Sequence, residues 1–172
     1  MRTWTCSLIV LATTMLSCAA QAASPPLPAA VQASLKSTAD MCSEVGGKAD
    51  TSNAVTRVDL TGDGVEDYVI SVGAINCDGA ASIYGDRQKG VQVFVGDGKG
   101  GAKDAFGDYA YDVAVEGTGP AAKVWLDVAA ESCGKKPAKD FASENFCSRS
   151  LVWNPKTQKF DYAPVSTVRM IK

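Results

Sequence analysis

The stretch from Asp59 to Ile70, D-L-T-G-D-G-V-E-D-Y-V-I, sets acidic residues at fixed offsets around Gly64. It joins two runs in which apolar residues recur at every second position: Val58 and Leu60 lead into the acidic loop, and Tyr68, Ile70 and Val72 continue the alternation after it. Period two is the signature of a half-buried strand, so the acidic segment is expected to link two strands. An EF-hand is excluded, because it needs flanking helices and a bidentate glutamate at the twelfth loop position, which here is Ile70. Gly64 permits a sharp turn. Around that turn Asp59, Asp63 and Asp67 are able to converge on one hard cation, with the Thr61 hydroxyl and the Val65 backbone carbonyl completing the set. All five donors are oxygens, which points to calcium rather than to a transition metal.

The chain opens on Arg2, an apolar run and the small-residue pattern Ala20-Gln21-Ala22, which together read as a secretory signal peptide over residues 1–22. Its apolar part is short for a membrane span, and no later run approaches the roughly 18 apolar residues that a spanning helix needs. Leu16-Ser17-Cys18 offers a rival processing site that resembles the bacterial lipobox, with Met15 where leucine is usual; use of that site would lipidate Cys18. The expected location is therefore the periplasm or the medium, with a membrane-anchored lipoprotein as the alternative. Residues 23–172 make one domain of ordinary size.

Composition narrows the chemistry. The formal charge is −2 for the whole chain, and one unit more negative once Arg2 leaves with the signal. Such a chain lacks the basic stripe that neutralises phosphates, so nucleic acid is not an expected partner. There is no histidine. Ser-His-Asp and Cys-His catalysis and histidine-ligated zinc are thereby excluded, leaving carboxylates, Lys, Tyr or a metal as the possible bearers of any chemistry. Cys6 and Cys18 belong to the signal. Cys42, Cys77, Cys133 and Cys147 remain, an even number in an exported chain, and two disulfides are expected. Cys133 and Cys147 bracket one polar loop, so they are the local pair; Cys42 with Cys77 would tie a helix to the strand after the acidic loop.

In chain order, Leu27, Val31, Leu35, Ala39 and Cys42 fall at steps of four and three, which predicts an amphipathic helix over residues 27–45, started near Pro28 and stopped by Gly46-Gly47. Val91 to Val95 reads as a strand. Gly96-Asp97-Gly98-Lys99-Gly100-Gly101 follows it and satisfies G-x-G-x-x-G, but the patterning beyond is strand-like rather than helical, so a glycine-rich hairpin turn is the better reading. Tyr109, Tyr111, Val113 and Val115 alternate, as do Val124, Leu126 and Val128, with Trp125 on the opposite face. Leu151–Trp153 and Lys159–Tyr162 flank Asn154-Pro155-Lys156-Thr157-Gln158, a turn composition that predicts a C-terminal hairpin.

The acidic loop, followed about twenty residues later by V-Q-V-F-V-G-D-G-K-G-G, resembles one FG-GAP or VCBS-type repeat over roughly residues 55–106. In that family the aspartates of D-x-[DN]-x-D-G-x-x-D ligate calcium, which implies the same for Asp59, Asp63 and Asp67, with Val65 acting through its carbonyl. Thr61 stands where Asn or Asp is usual and would be a weaker ligand. No second copy of the motif occurs, and a propeller needs at least four blades, so a closed propeller is excluded. The expected fold is α+β and mainly β: an antiparallel sheet of about six to seven strands with one N-terminal helix, residues 107–172 completing the sheet.

Glu116, Asp127, Glu131, Asp108 and Asp112 are the carboxylates left over for catalysis, but spacing alone brings no pair together, and no catalytic residue is assigned. Trp125, Trp153 and Tyr111 are expected to fill the inner faces of the sheet. The function expected is an exported calcium-binding structural or interaction module that meets an envelope protein or a glycan; the alternative is a calcium-assisted, carboxylate-based hydrolase.

Overall fold

A computed structural model describes residues 24–171. The expected signal peptide and Cys18, and hence the choice between free and lipid-anchored protein, lie outside the described residues. In chain order the elements are α1 (Ala29–Glu44), β1 (Lys48–Asp50), β2 (Val55–Val58), β3 (Asp67–Ser71), β4 (Asn76–Asp78) and β5 (Lys89–Gly96). They continue with β6 (Ala102–Ala110), β7 (Asp112–Glu116), β8 (Lys123–Ala129), β9 (Phe146–Asn154), β10 (Lys159–Tyr162) and β11 (Arg169–Met170).

The expected class holds: all strand pairs are antiparallel and α1 is the one α-helix among the described residues. The strands divide into three sheets. One has the order β2-β3-β5-β6, a second β10-β9-β8-β7 with β11 also on β9, and a third is the short β1-β4 pair. Helix and sheets stack in three layers because the central strands are apolar on both faces. From β3 and β5, Val69, Val91 and Val93 point to the second sheet and meet Val124, Leu126, Val128, Leu151 and Phe160. On the opposite face Tyr68, Ile70 and Phe94 pack under Val31 of α1. Ile70, Val93 and Leu126 are wholly removed from water, each burial being worth about 1.5–3 kcal/mol.

The helix is the one its apolar spacing predicts, with Val31 and Cys42 fully buried and Leu27 and Leu35 packed beside them. Both disulfides form as expected, Cys42 with Cys77 and Cys133 with Cys147. The first ties the C-terminal turn of α1 to β4, and the second closes the loop between β8 and β9. The alternation that runs from Tyr109 to Val115 proves to be two strands. Tyr109 is the penultimate residue of β6 in the central sheet, while Val113 and Val115 belong to β7 in the other. The chain changes sheet between Ala110 and Asp112, where the Tyr111 N–H donates to the Asp127 carbonyl at 2.8 Å. Both sheets want the same period, so the crossing leaves no mark in the pattern. The C-terminal hairpin forms as read, with Phe160 opposite Trp153 and Lys159 opposite Asn154.

Candidate functional site

Residues 59–66 link β2 to β3, and the two strands pair from Val55 with Ile70 to Val58 with Asp67. The acidic loop is therefore a hairpin loop. Its backbone is held chiefly by its own carboxylates. Asp59 accepts from the Gly62 N–H at 2.7 Å through Oδ1 and from the Gly64 N–H at 2.9 Å through Oδ2. Asp63 Oδ1 accepts from the Val65 N–H at 2.9 Å. Gly64 has φ +81°, the left-handed conformation that glycine adopts without strain, as the turn requires.

Asp67 is set apart from its neighbours by burial, with none of its surface exposed. Its Oδ2 accepts from the N–H groups of Leu60 at 2.8 Å and Thr61 at 3.1 Å, and its Oδ1 from Gly96 at 3.0 Å. Burial pushes the Asp67 carboxyl above the ordinary carboxylate value; the three N–H groups pull it down, and the nearby charge of Asp63 adds a smaller push upward. Three of its roughly four lone-pair directions are thus committed to backbone. Asp67 clamps both ends of the loop to the C-terminal end of β5.

Among the described residues, no three carboxylate or thiolate side chains are gathered closely enough to hold a metal as they stand. The oxygen-only donor set of the loop nonetheless suits a hard cation, since Asp59 and Asp63 keep free lone pairs. One atom argues for a missing partner: Thr61 Oγ1 is buried and makes no hydrogen bond. The other such atom, Trp125 Nε1, belongs to a ring covered by the Arg169 guanidinium, 3.6 Å from its centroid. A hydroxyl enclosed without a partner is costly, and an ion or water beside it removes that cost.

Thr61 and Asp63 also line a cleft of about 350 Å³ whose other walls come from elsewhere in the chain. Val95, Gly96 and Asp97 stand at the end of β5, Lys103 at the start of β6, and Trp153 and Gln158 on the C-terminal hairpin. The glycine-rich segment is the hairpin turn its composition predicts, closed by Asp97 N–H to Gly101 carbonyl at 3.0 Å. Backbone N–H groups of Lys99 and Gly101 hold the Asp97 carboxyl below the usual range. Three hairpin turns, remote in sequence, thus meet at one end of the molecule. Sequence reasoning places only the first of them in a site; no local pattern reports that the other two lie beside it.

The remaining carboxylates are spread among separate tasks. Glu116 is paired by both oxygens with Arg169 at 2.9 Å, Asp108 accepts from the Tyr162 hydroxyl at 3.0 Å, and Asp127 from the Ser148 hydroxyl at 2.6 Å. Asp112 lies opposite Asp127 across β7 and β8, with its Oδ1 accepting from the Val113 N–H, and Glu131 is exposed. Trp125 is buried, and Tyr111 packs edge-on against Phe146. No helix among the described residues is long and apolar enough to cross a membrane. No protein-family profile, no curated protein and no solved structure matches this chain.

Proposed function

We propose that this chain is an exported calcium-binding module with a structural or interaction role in the periplasm or envelope, its partner an envelope protein or a glycan. Asp59, Thr61, Asp63 and Asp67 and the Val65 carbonyl are the residues that would hold the ion. Bound calcium would supply rigidity to the loop between β2 and β3. The single observation that carries this reading is the partnerless, buried Thr61 hydroxyl inside a loop whose donors are all oxygen. Export accords with two disulfides. The resemblance of the loop to one FG-GAP or VCBS repeat supports the same ligand set.

Calorimetry and thermal unfolding with and without calcium test the reading. With Thr61 in place of a carboxamide or carboxylate, affinity is expected in the range of about 10⁻⁴ to 10⁻³ M that extracellular modules show. A hundredfold excess over Kd stabilises the native state by about 2.7 kcal/mol. Asp63→Asn should remove the calcium-dependent rise in Tm, whereas Asp127→Asn, outside the loop, should leave it. Magnesium should substitute poorly, since it demands a tighter octahedral shell. Identical melting of chelated and calcium-loaded protein, with no heat of binding up to several times those concentrations, overturns the proposal.

A further inference from the structure

The cleft holds more than the acidic loop requires. Trp153 is a half-buried aromatic on the cleft wall that packs against the core and meets Phe160 at a tilt, centroids 5.0 Å apart and planes at 51°, so its orientation is set before anything binds. Around it stand an amide, an ammonium and two carboxylates: Gln158, Lys103, Asp97 and Asp63. Gln158 is the one residue other than glycine with a positive φ among the described residues, at 53°. At that turn position glycine or asparagine fits without strain. A glutamine held there instead presents its side chain to the cleft, where its Oε1 accepts from Lys103 Nζ at 3.3 Å. Strain kept at a cleft wall is a mark of function when the residue has something to do there.

From this geometry we infer that the cleft is a saccharide site, which takes a neutral mono- or disaccharide with one sugar face on Trp153 and its hydroxyls on Gln158, Lys103, Asp97 and Asp63. An aromatic plane offers the apolar C–H face of a pyranose a partner, while the opposed charges supply both donors and acceptors for hydroxyls. Mixed charge disfavours a strongly ionic ligand, and about 350 Å³ lies at the small end of the roughly 300–1,000 Å³ of small-molecule sites. The inference deepens the interaction-module reading by naming the class of partner. It does not require the cation, because Trp153, Gln158, Lys103 and Asp97 are not among the proposed calcium ligands and, of the residues given to the sugar, Asp63 alone is shared.

The test is titration of the full mature protein with maltose, cellobiose and N,N′-diacetylchitobiose, followed by tryptophan emission and by amide chemical shifts, once with calcium and once with chelator. Saturable changes centred on residues 153–158 and 97–103 with at least one sugar are expected. Trp153→Ala should abolish them. Gln158→Gly is the decisive variant: it relieves the positive φ, so Tm should rise, while affinity should fall by about tenfold, the weight of one hydrogen bond. A Gln158→Gly protein with unchanged affinity overturns the assignment of Gln158 to the site. Absence of saturable change with all three sugars, in protein shown to be folded, overturns the saccharide site. Sugar binding that persists in chelator and in Asp59→Asn, a change to a proposed calcium ligand that does not line the cleft, separates this proposal from that of the cation.

Discussion

Asp67 and Gly96 are joined closely: the Gly96 N–H donates to Asp67 Oδ1 at 3.0 Å, and a Cβ on residue 96 would lie 2.2 Å from the Glu66 carbonyl oxygen. The buried carboxylate joins the acidic loop to the start of the next turn, and the absent side chain lets the two backbones approach. The end of the molecule that carries the candidate site depends on this contact.

Asp67→Asn should therefore destabilise the protein although it removes a buried charge. Both carboxylate oxygens accept N–H groups, and in either orientation an amide sets its own NH₂ against one set of those donors. Leaving a buried backbone N–H without an acceptor costs about 1–3 kcal/mol. Urea unfolding in chelator should show a loss in that range with unchanged slope, and equal stability would mean that the clamp is incidental.

Gly96→Ala should cost about 1–3 kcal/mol through overpacking, because the obstructing atoms are backbone, the Glu66 carbonyl, with Val65 Cγ1 next at 2.9 Å. Gly107→Ala in β6 is the control. Nothing lies within 4 Å of a Cβ there, and the change should be neutral or mildly stabilising when the two variants are compared by thermal unfolding.

Alkaline stability should depend on Tyr162. Burial, then the charge of Asp108 and the hydrogen bond to it, push the Tyr162 hydroxyl far above its ordinary value of 10.0, with the Arg149 guanidinium opposing more weakly. In the unfolded chain the hydroxyl ionises near 10, so above that pH the native state holds a proton that the unfolded state has lost. The stability this proton confers is complete below pH 10 and falls as pH rises toward the folded value. Tyr162→Phe should flatten that decline between about pH 10 and 11.5 in denaturation curves. A decline as steep as that of the unaltered protein would mean that other groups govern it.

Removal of the two disulfides should be unequal. In the chain-entropy model a bridge closing 35 residues, Cys42–Cys77, contributes about 4 kcal/mol, and one closing 14, Cys133–Cys147, about 3 kcal/mol. Paired Cys→Ala variants should therefore rank in that order by chemical denaturation. The reverse order would point to native packing around Cys133 and Cys147 outweighing the effect on the unfolded chain.

Residues that act through neighbours in the chain were legible from the sequence alone. The spacing of Val31, Leu35 and Cys42 specifies the helix, alternation around the acidic segment makes it a hairpin loop, and Asn154 to Gln158 turns the last hairpin. Locality also paired Cys133 with Cys147, leaving Cys42 for Cys77. These follow from period, turn chemistry and short loops, which are properties of contiguous residues. Which way each aspartate of the loop faces was decided only in three dimensions. Asp59 and Asp63 turn to their own loop, and Asp67 turns inward because the Gly96 N–H arrives there from 29 residues away. The division into three sheets, the change of sheet at Tyr111 and the meeting of Thr61, Asp97, Trp153 and Gln158 at one cleft were likewise tertiary outcomes. A strand that is apolar on both faces reads the same whichever sheet covers it, so only the packing of the layers brings distant turns to the same end.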